Sequence, residues 1–241
     1  MDATASLALA SHRPPGQIFA NWMRGGWRLF RSAPSRIFAL SLFPILVEAA
    51  VQVVPDAGIV VSKLLTPLVS AWILIMLDRK ARSGRFVPAQ TVRLWWDRLP
   101  QLLLLSLLLA GVFVFQLLVT VAIGGTEQAL ALASGNLDAI DLSRSQLAAI
   151  LASGVVPAVP LMFVGPRVAL DGIDVADAVI ESLHQVVLYW RPVALFTLLS
   201  ALLVASAVWT PLVLLIVLPF ATCAGYAAYR DVFDRTAQDR P

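Results

Sequence analysis

The 241-residue chain contains one cysteine, Cys223, and two histidines, His12 and His184. A single thiol excludes an internal disulfide, and two histidines leave little for a zinc or haem site. Charge is scarce as well: Asp, Glu, Lys and Arg make up 14% of the residues, where a soluble domain keeps about a quarter to wet its surface. No Ser-His-Asp set, phosphate loop or nucleotide motif is visible. Before residue 20 the only apolar run is Leu7 to Ala10, followed by His12, Arg13 and two prolines, so no cleavable signal peptide is expected. No cofactor is expected either.

What the chain has in abundance is apolar surface, with 59% hydrophobic residues and a mean hydropathy of +0.81. Six stretches suit membrane helices, at about 36–54, 59–77, 101–123, 146–165, 193–209 and 211–228. The first two flank the turn Pro55, Asp56, Ala57, Gly58, which predicts a helical hairpin. Pro192 to Tyr229 is uncharged over 38 residues, about 57 Å of helix against a hydrocarbon core of about 30 Å, so it must fold back once. Trp209, Thr210 and Pro211 supply the break near its middle. The fold class predicted is an all-α integral membrane bundle of six transmembrane helices. A disordered tail over 1–16 and a short tail over 234–241 flank a single membrane domain at 17–233.

In this scheme sixteen of the eighteen Lys and Arg residues fall on the side of the termini. The opposite side holds only Arg144, beside Glu127, Asp138 and Asp141, and Lys63 lies within a span. The positive-inside rule therefore predicts cytoplasmic termini. Topology and attraction to anionic headgroups account for the basic residues, so membrane lipids are the expected partners and nucleic acid is not.

Three of the segments on that side have helical amphipathic periodicity, at about 18–33, 88–99 and 172–191. Phe19, Trp22, Met23, Gly26, Trp27 and Phe30 form the first apolar stripe, opposite Asn21, Arg24, Arg28 and Arg31. Val92, Trp95, Trp96 and Leu99 form the second; Ile173, Ala176, Ile180, Leu183, Val187 and Trp190 form the third. Trp22, Trp27, Trp95, Trp96 and Trp190 are expected as interfacial anchors. Pro34, Pro100 and Pro192 stand before spans one, three and five, so the chain reads three times as surface helix, span, span. Such units would be parallel repeats about an axis along the membrane normal. Aromatic, basic flanks are also what any multi-span protein carries, and they do not by themselves require a repeat.

Few residues offer chemistry. Glu48 and Lys63 are charges inside spans and lie symmetrically about the hairpin turn, some 11 Å below it at about 1.5 Å per residue, which predicts an intramembrane ion pair. The alternatives are a snorkelling lysine with a protonated or water-facing glutamate, or a proton or ion pathway. Gly154, Pro157, Pro160, Gly165 and Pro166 predict a broken fourth span, as packing kinks or as the discontinuous helix of a ligand site. Ser143 and Gln146 fit a capping box. Asp174, Asp177, Glu181 and His184 share a helix face, but a di-iron site needs a second Glu-x-x-His, and a solvated face explains them without metal. Cys223, among Ala221, Ala224 and Gly225, suits close helix packing.

Gly26, Trp27 and Phe30 before the first span, with Val164, Gly165, Pro166, Ala178, Ser182, Trp190, Arg191 and Pro192, carry a resemblance that runs from roughly Asn21 to Phe233. The chain resembles a family of six-helix inner-membrane proteins of proteobacteria, loosely akin to YciC-like proteins and to the membrane domain attached to some glycerophosphodiester phosphodiesterases. The resemblance implies a bacterial inner membrane and supplies no established activity. The expected function is that of a non-enzymatic scaffold or accessory protein of membrane or envelope processes. The alternative is a transporter or lipid-handling carrier with a site between the repeats, near Glu48, Lys63 and the broken span.

Overall fold

The structure, a computed structural model, describes residues 14–54 and 57–238. Pro55 and Asp56 of the hairpin turn, and most of the tail expected over 1–16, lie outside the described residues. Among the described residues the chain is helical, without strands. The principal helices are α1 (Pro15–Ser32), α2 (Pro34–Gln52), α3 (Gly58–Ser83), α4 (Pro88–Asp97), α5 (Leu99–Ser134), α6 (Arg144–Ser153), α7 (Val175–Leu188), α8 (Trp190–Ser206) and α9 (Pro211–Gln238). Proline sits in the first turn of α1, α2, α4 and α5, where its missing N–H costs no helix bond. α9 continues to Gln238, so residues 234–238 of the tail expected over 234–241 are helical and the rest lies outside the described residues.

Among the described residues four helices are long and apolar enough to cross a membrane: Pro34–Gln52, Gly58–Ser83, Leu99–Ser134 and Pro211–Asp234. A fifth arises if α7 and α8, bent by 99°, count as one broken span. The protein is therefore membrane-embedded, and large exposed side chains such as Leu107, Leu118 and Leu202 cover the outside of its spans. Two of the six predicted spans are not continuous long helices. The stretch expected at 146–165 is split into α6, a short turn of helix at Val155–Ala158, an irregular stretch and a second short turn at Val164–Pro166, followed by a π-turn at Arg167–Asp171. Proline causes that break by removing donors from the ladder, and glycine adds backbone freedom beside it. The other, α8, has 17 residues, about 25 Å of helix. In α5 the break comes at Gly125, whose φ of 87° turns the last part of the helix away from the span.

Two apolar clusters hold the bundle together. Trp22, Ile37, Phe163, Tyr229 and Val232 centre the first, and Leu102, Leu105, Val164, Val168 and Ala178 the second. α1 packs closely on α9. A Cβ at Gly26 would fall 2.6 Å from Ala224 Cα, so only glycine lets the two backbones approach to this distance.

Each amphipathic helix has three faces rather than two. On α1, Ile18, Trp22 and Gly26 are buried, Trp27 is exposed and apolar, and Arg24 and Arg28 are exposed and charged. On α4 the same order runs through Thr91, then Val92 and Trp96, then Arg93 and Asp97. On α7 it runs through Ala178, Ser182 and Val186, then Leu183 and Val187, then His184. The apolar stripe predicted for α7 is thus its exposed face, and a second apolar face packs on the bundle. Trp22 departs from its expected role: it is 0% exposed, a core residue donating from Nε1 to Asp231 (3.1 Å). Spacing alone does not separate a core-facing aromatic from a lipid-facing one.

Candidate functional site

A partly open cavity of about 410 Å³ lies between the helices, and every lining residue comes from a span or from the broken segment. α3 contributes Pro67, Ser70, Ala71 and Leu74; α5 contributes Leu105 and Leu109; and the broken segment contributes Met162, Gly165 and Pro166. Phe196 and Ser200 of α8 and Leu218, Thr222, Gly225 and Tyr226 of α9 complete it. Its wall is mainly hydrocarbon. The Ser200 hydroxyl donates to Phe196 O (2.9 Å) and that of Thr222 to Leu218 O (3.0 Å), so both are satisfied within their own helices. A Cβ added to Gly165 or to Gly225 would meet nothing within 4 Å, so both glycines open on free space.

The break in the fourth predicted span gives the cavity part of its wall, and side chains from two helices satisfy the broken ladder. Ser182 Oγ of α7 donates to Pro160 O (2.7 Å) and accepts from the Phe163 N–H (3.1 Å). Gln116 Nε2 of α5 donates to Leu151 O (3.1 Å), and Gly154 leaves room for that amide. Gly154, Pro157, Pro160 and Pro166 therefore stand at a real interruption. Ser143 and Gln146 form a complete capping box at the start of α6.

Beneath the cavity, at the end of the bundle carrying the amphipathic helices, polar side chains tie the elements together. Tyr226 donates its hydroxyl to Asp78 (2.9 Å), which also accepts from Arg82 Nε (2.9 Å). Tyr229 donates to Asp171 (2.6 Å), and Asp171 pairs with Arg167. Arg167 also binds Glu181 through Nε (2.6 Å) and stacks over Phe233 at 4.6 Å. Burial works against the Arg167 cation, but the bonds to Glu181 and Asp171 outweigh it and its pKa rises. The reverse holds at Arg98, which donates to the Ala169 carbonyl: burial lowers its pKa despite nearby Asp171. Gln101 joins α5 to α7 by donating to Asp174 (2.7 Å) and accepting from the Val175 N–H (3.2 Å). Glu181 and Asp174 are thus held by Arg167 and Gln101. Among the described residues no group of three His, Cys, Asp or Glu could hold a metal.

A second hollow, an open groove of about 780 Å³, lies between α1, the end of α3 and α9. Asn21, Arg28, Ser32, Arg230 and Asp231 give it a polar lining, and Tyr226 belongs to its wall as well as to that of the cavity.

The other sequence-predicted residues lie elsewhere. Lys63 donates to Glu48 across the α2–α3 hairpin, and Gln52 Nε2 joins them by donating to Glu48 (3.1 Å) and to Ser62 Oγ (3.3 Å). Neither charge lines the cavity. Trp27, Trp96 and Trp190 are 50%, 64% and 59% exposed, whereas Trp95 is half-buried and donates to Leu68 O (2.8 Å). Sequence reasoning missed Asp78, Asp171, Tyr226 and Tyr229. The available signal was an aspartate near the end of the second, fourth and sixth predicted spans, at Asp78, Asp171 and Asp231, among otherwise basic residues. Comparison with protein-family models, curated proteins and solved structures finds no match to this chain.

Proposed function

We propose that this is a non-enzymatic multi-pass membrane protein that holds the hydrocarbon part of a lipid in the cavity between its helices, as an accessory to membrane or envelope processes. The observation that carries the reading is the apolar hollow of about 410 Å³ among α3, α5, the broken segment, α8 and α9. At about 30 Å³ for a water-sized group it holds about fourteen such groups, enough for one acyl chain. Small-molecule sites of this size and apolarity bind by burial of hydrocarbon. A carrier of polar solutes would need polar walls reaching toward Glu48 and Lys63, and these walls are apolar and lie apart from that pair.

We further propose six crossings, with α6 and its broken continuation as the fourth and α8 as the fifth. The basic end then faces the cytoplasm, and the resemblance noted above makes the membrane a bacterial inner membrane. The amphipathic helices lie in the headgroup layer, where core, exposed apolar and exposed polar faces point to protein, lipid and water. These faces follow one another in the same rotational sense on all three helices, as in Gly26, Trp27, Arg28; Thr91, Val92, Arg93; and Ser182, Leu183, His184. Equal handedness means that the three helices circle the bundle in the same direction, as parallel repeats require.

Replacing Gly165 and Gly225 together by leucine tests the lipid reading, because both side chains would grow into open space. The natural protein, purified in mild detergent, is expected to retain lipid by native mass spectrometry, and the double variant to lose most of it while keeping its helical content. Equal lipid retention by the two proteins refutes a hydrocarbon site in the cavity.

A further inference from the structure

α7 differs from the other amphipathic helices on both of its outward faces. Its exposed apolar residues Ala176, Ile180, Leu183 and Val187 follow one another at steps of four, three and four. Trp190, three residues further on, stands exposed at the corner where the chain bends into α8. That spacing is the seam of paired helices, in which each side chain seats among those of a facing helix. Charge separates α7 from α1 as well. From Asp174 to Trp190 there is no Lys or Arg, and the exposed polar face carries Asp177 and His184, whereas that of α1 carries Arg24, Arg28 and Arg31. An anionic headgroup layer attracts α1 and repels Asp177, so lipid is a poorer neighbour for this stripe than for that of α1.

We infer that the apolar stripe of α7 is covered by α7 of a second copy of this chain, making the protein a two-fold symmetric dimer in the membrane. The bend of 99° sets α7 across α8, so with α8 as a crossing α7 lies along the membrane plane. A two-fold axis along the membrane normal keeps both copies in the same orientation and sets their α7 helices antiparallel. The stripe is self-complementary in that arrangement. With Leu183 on the axis, Ile180 meets Val187 of the second copy, and Ala176, the smallest member, meets the corner that carries Trp190, the largest. The charges agree: exposed Asp177 comes to exposed Arg191, which stacks on Trp190 at that corner. A parallel pair would instead set Asp177 against Asp177. The placement rests on the proposed fifth crossing; it leaves the cavity reading untouched and replaces lipid by protein only along this stripe.

The test uses the full chain in isolated native membranes, with single cysteines oxidised by copper phenanthroline; the natural Cys223 is buried, and the unsubstituted protein is the blank. Leu183→Cys is expected to give a disulfide-linked dimer, as are Ile180→Cys and Val187→Cys carried on separate copies. Ala176→Cys alone is expected to stay unlinked. It lies seven residues from the axis, which separates the two thiols by about 21 Å at about 1.5 Å per residue, whereas a disulfide spans about 7 Å between Cα atoms. Linking at residue 176 equal to that at 183 overturns the antiparallel pair. No link at residue 183 overturns the dimer, and a polarity-sensitive dye on that thiol then reports hydrocarbon where lipid covers the stripe. Val92→Cys, comparably exposed on α4, controls for random encounter, and linking as fast as that of Leu183→Cys also overturns the dimer. In the Leu183→Cys background, Asp177→Arg and Arg191→Glu are each expected to lower linking by about threefold, as for an exposed ion pair, and the two together to restore it. A double variant as poor as the single ones overturns the Asp177–Arg191 contact. Lipid retention, and the protection of His184→Cys from an impermeant maleimide in intact cells, are measured separately, so failure of the dimer is told apart from failure of the cavity or of the fifth crossing.

Discussion

Ser182 is a small residue with two obligations. Its hydroxyl serves both the Pro160 carbonyl and the Phe163 N–H, two backbone groups that the interrupted helix leaves without ladder partners in an environment with little water. Ser182→Ala should therefore destabilise the fold by about 1 to 3 kcal/mol, the cost of leaving buried polar groups unpaired, read as a lower thermal midpoint in detergent. The Glu48–Lys63 pair answers to the same physics in charged form. Its side chains are only 24% and 32% exposed, and either charge alone would be left without its counter-ion. Glu48→Gln and Lys63→Met should each destabilise, and the double variant should lose less than the two single losses together. Their coupling is expected to be about 1 kcal/mol or more, and strictly additive losses would show that the contact contributes nothing. This pairing was legible in the sequence because a hairpin equates depth with distance from its turn. Tyr226, Tyr229, Asp78 and Asp171 were not legible, since their partners lie 58 to 148 residues away and no local spacing records such a contact.

Helices in this protein are placed by what their smallest residues permit. α1 lies against α9 because Gly26 meets Ala224 with no side chain between the backbones. Gly26→Val should force the helices apart and cost about 1 to 3 kcal/mol by overpacking, measured by thermal or denaturant unfolding in detergent. Gly16 on the same helix meets nothing within 4 Å, so Gly16→Ala should be neutral or stabilising by up to about 1 kcal/mol. A loss at both positions would show that the α1–α9 crossing does not control the response, since helix propensity favours the replacement at each. The amphipathic helices themselves were plain from period 3.6. Which apolar residues face protein was hidden, because a helix lying beside a bundle and on a bilayer has two apolar faces and the period is the same for both. Trp22 reverses expectation for that reason. The broken fourth span was visible as a run of glycine and proline, but not its repair by Gln116 and Ser182 from other helices.

At the scale of the whole molecule, the apolar runs marked a membrane protein, but hydropathy records no cavity. Residues from five segments line it, and none of its lining side chains carries a charge that would draw notice. What remains to be tested is the number of crossings, and two topologies give opposite answers at one helix. If only α2, α3, α5 and α9 cross, everything from α6 to α8 stays on the face opposite the termini, and α7 is outside with the loop before α9. With six crossings, α7 returns to the side of the termini, where Gln101 at the start of α5 already holds Asp174. Single cysteines at Ser83, Asn136, His184 and Thr210 separate the two, and the natural Cys223 is buried and gives little background. In intact cells treated with a membrane-impermeant maleimide, Asn136→Cys and Thr210→Cys should label, whereas Ser83→Cys and His184→Cys should label only after lysis. Labelling of His184→Cys in intact cells together with Thr210→Cys would reduce the crossings to four. It would also put the amphipathic helices on different faces of the bilayer.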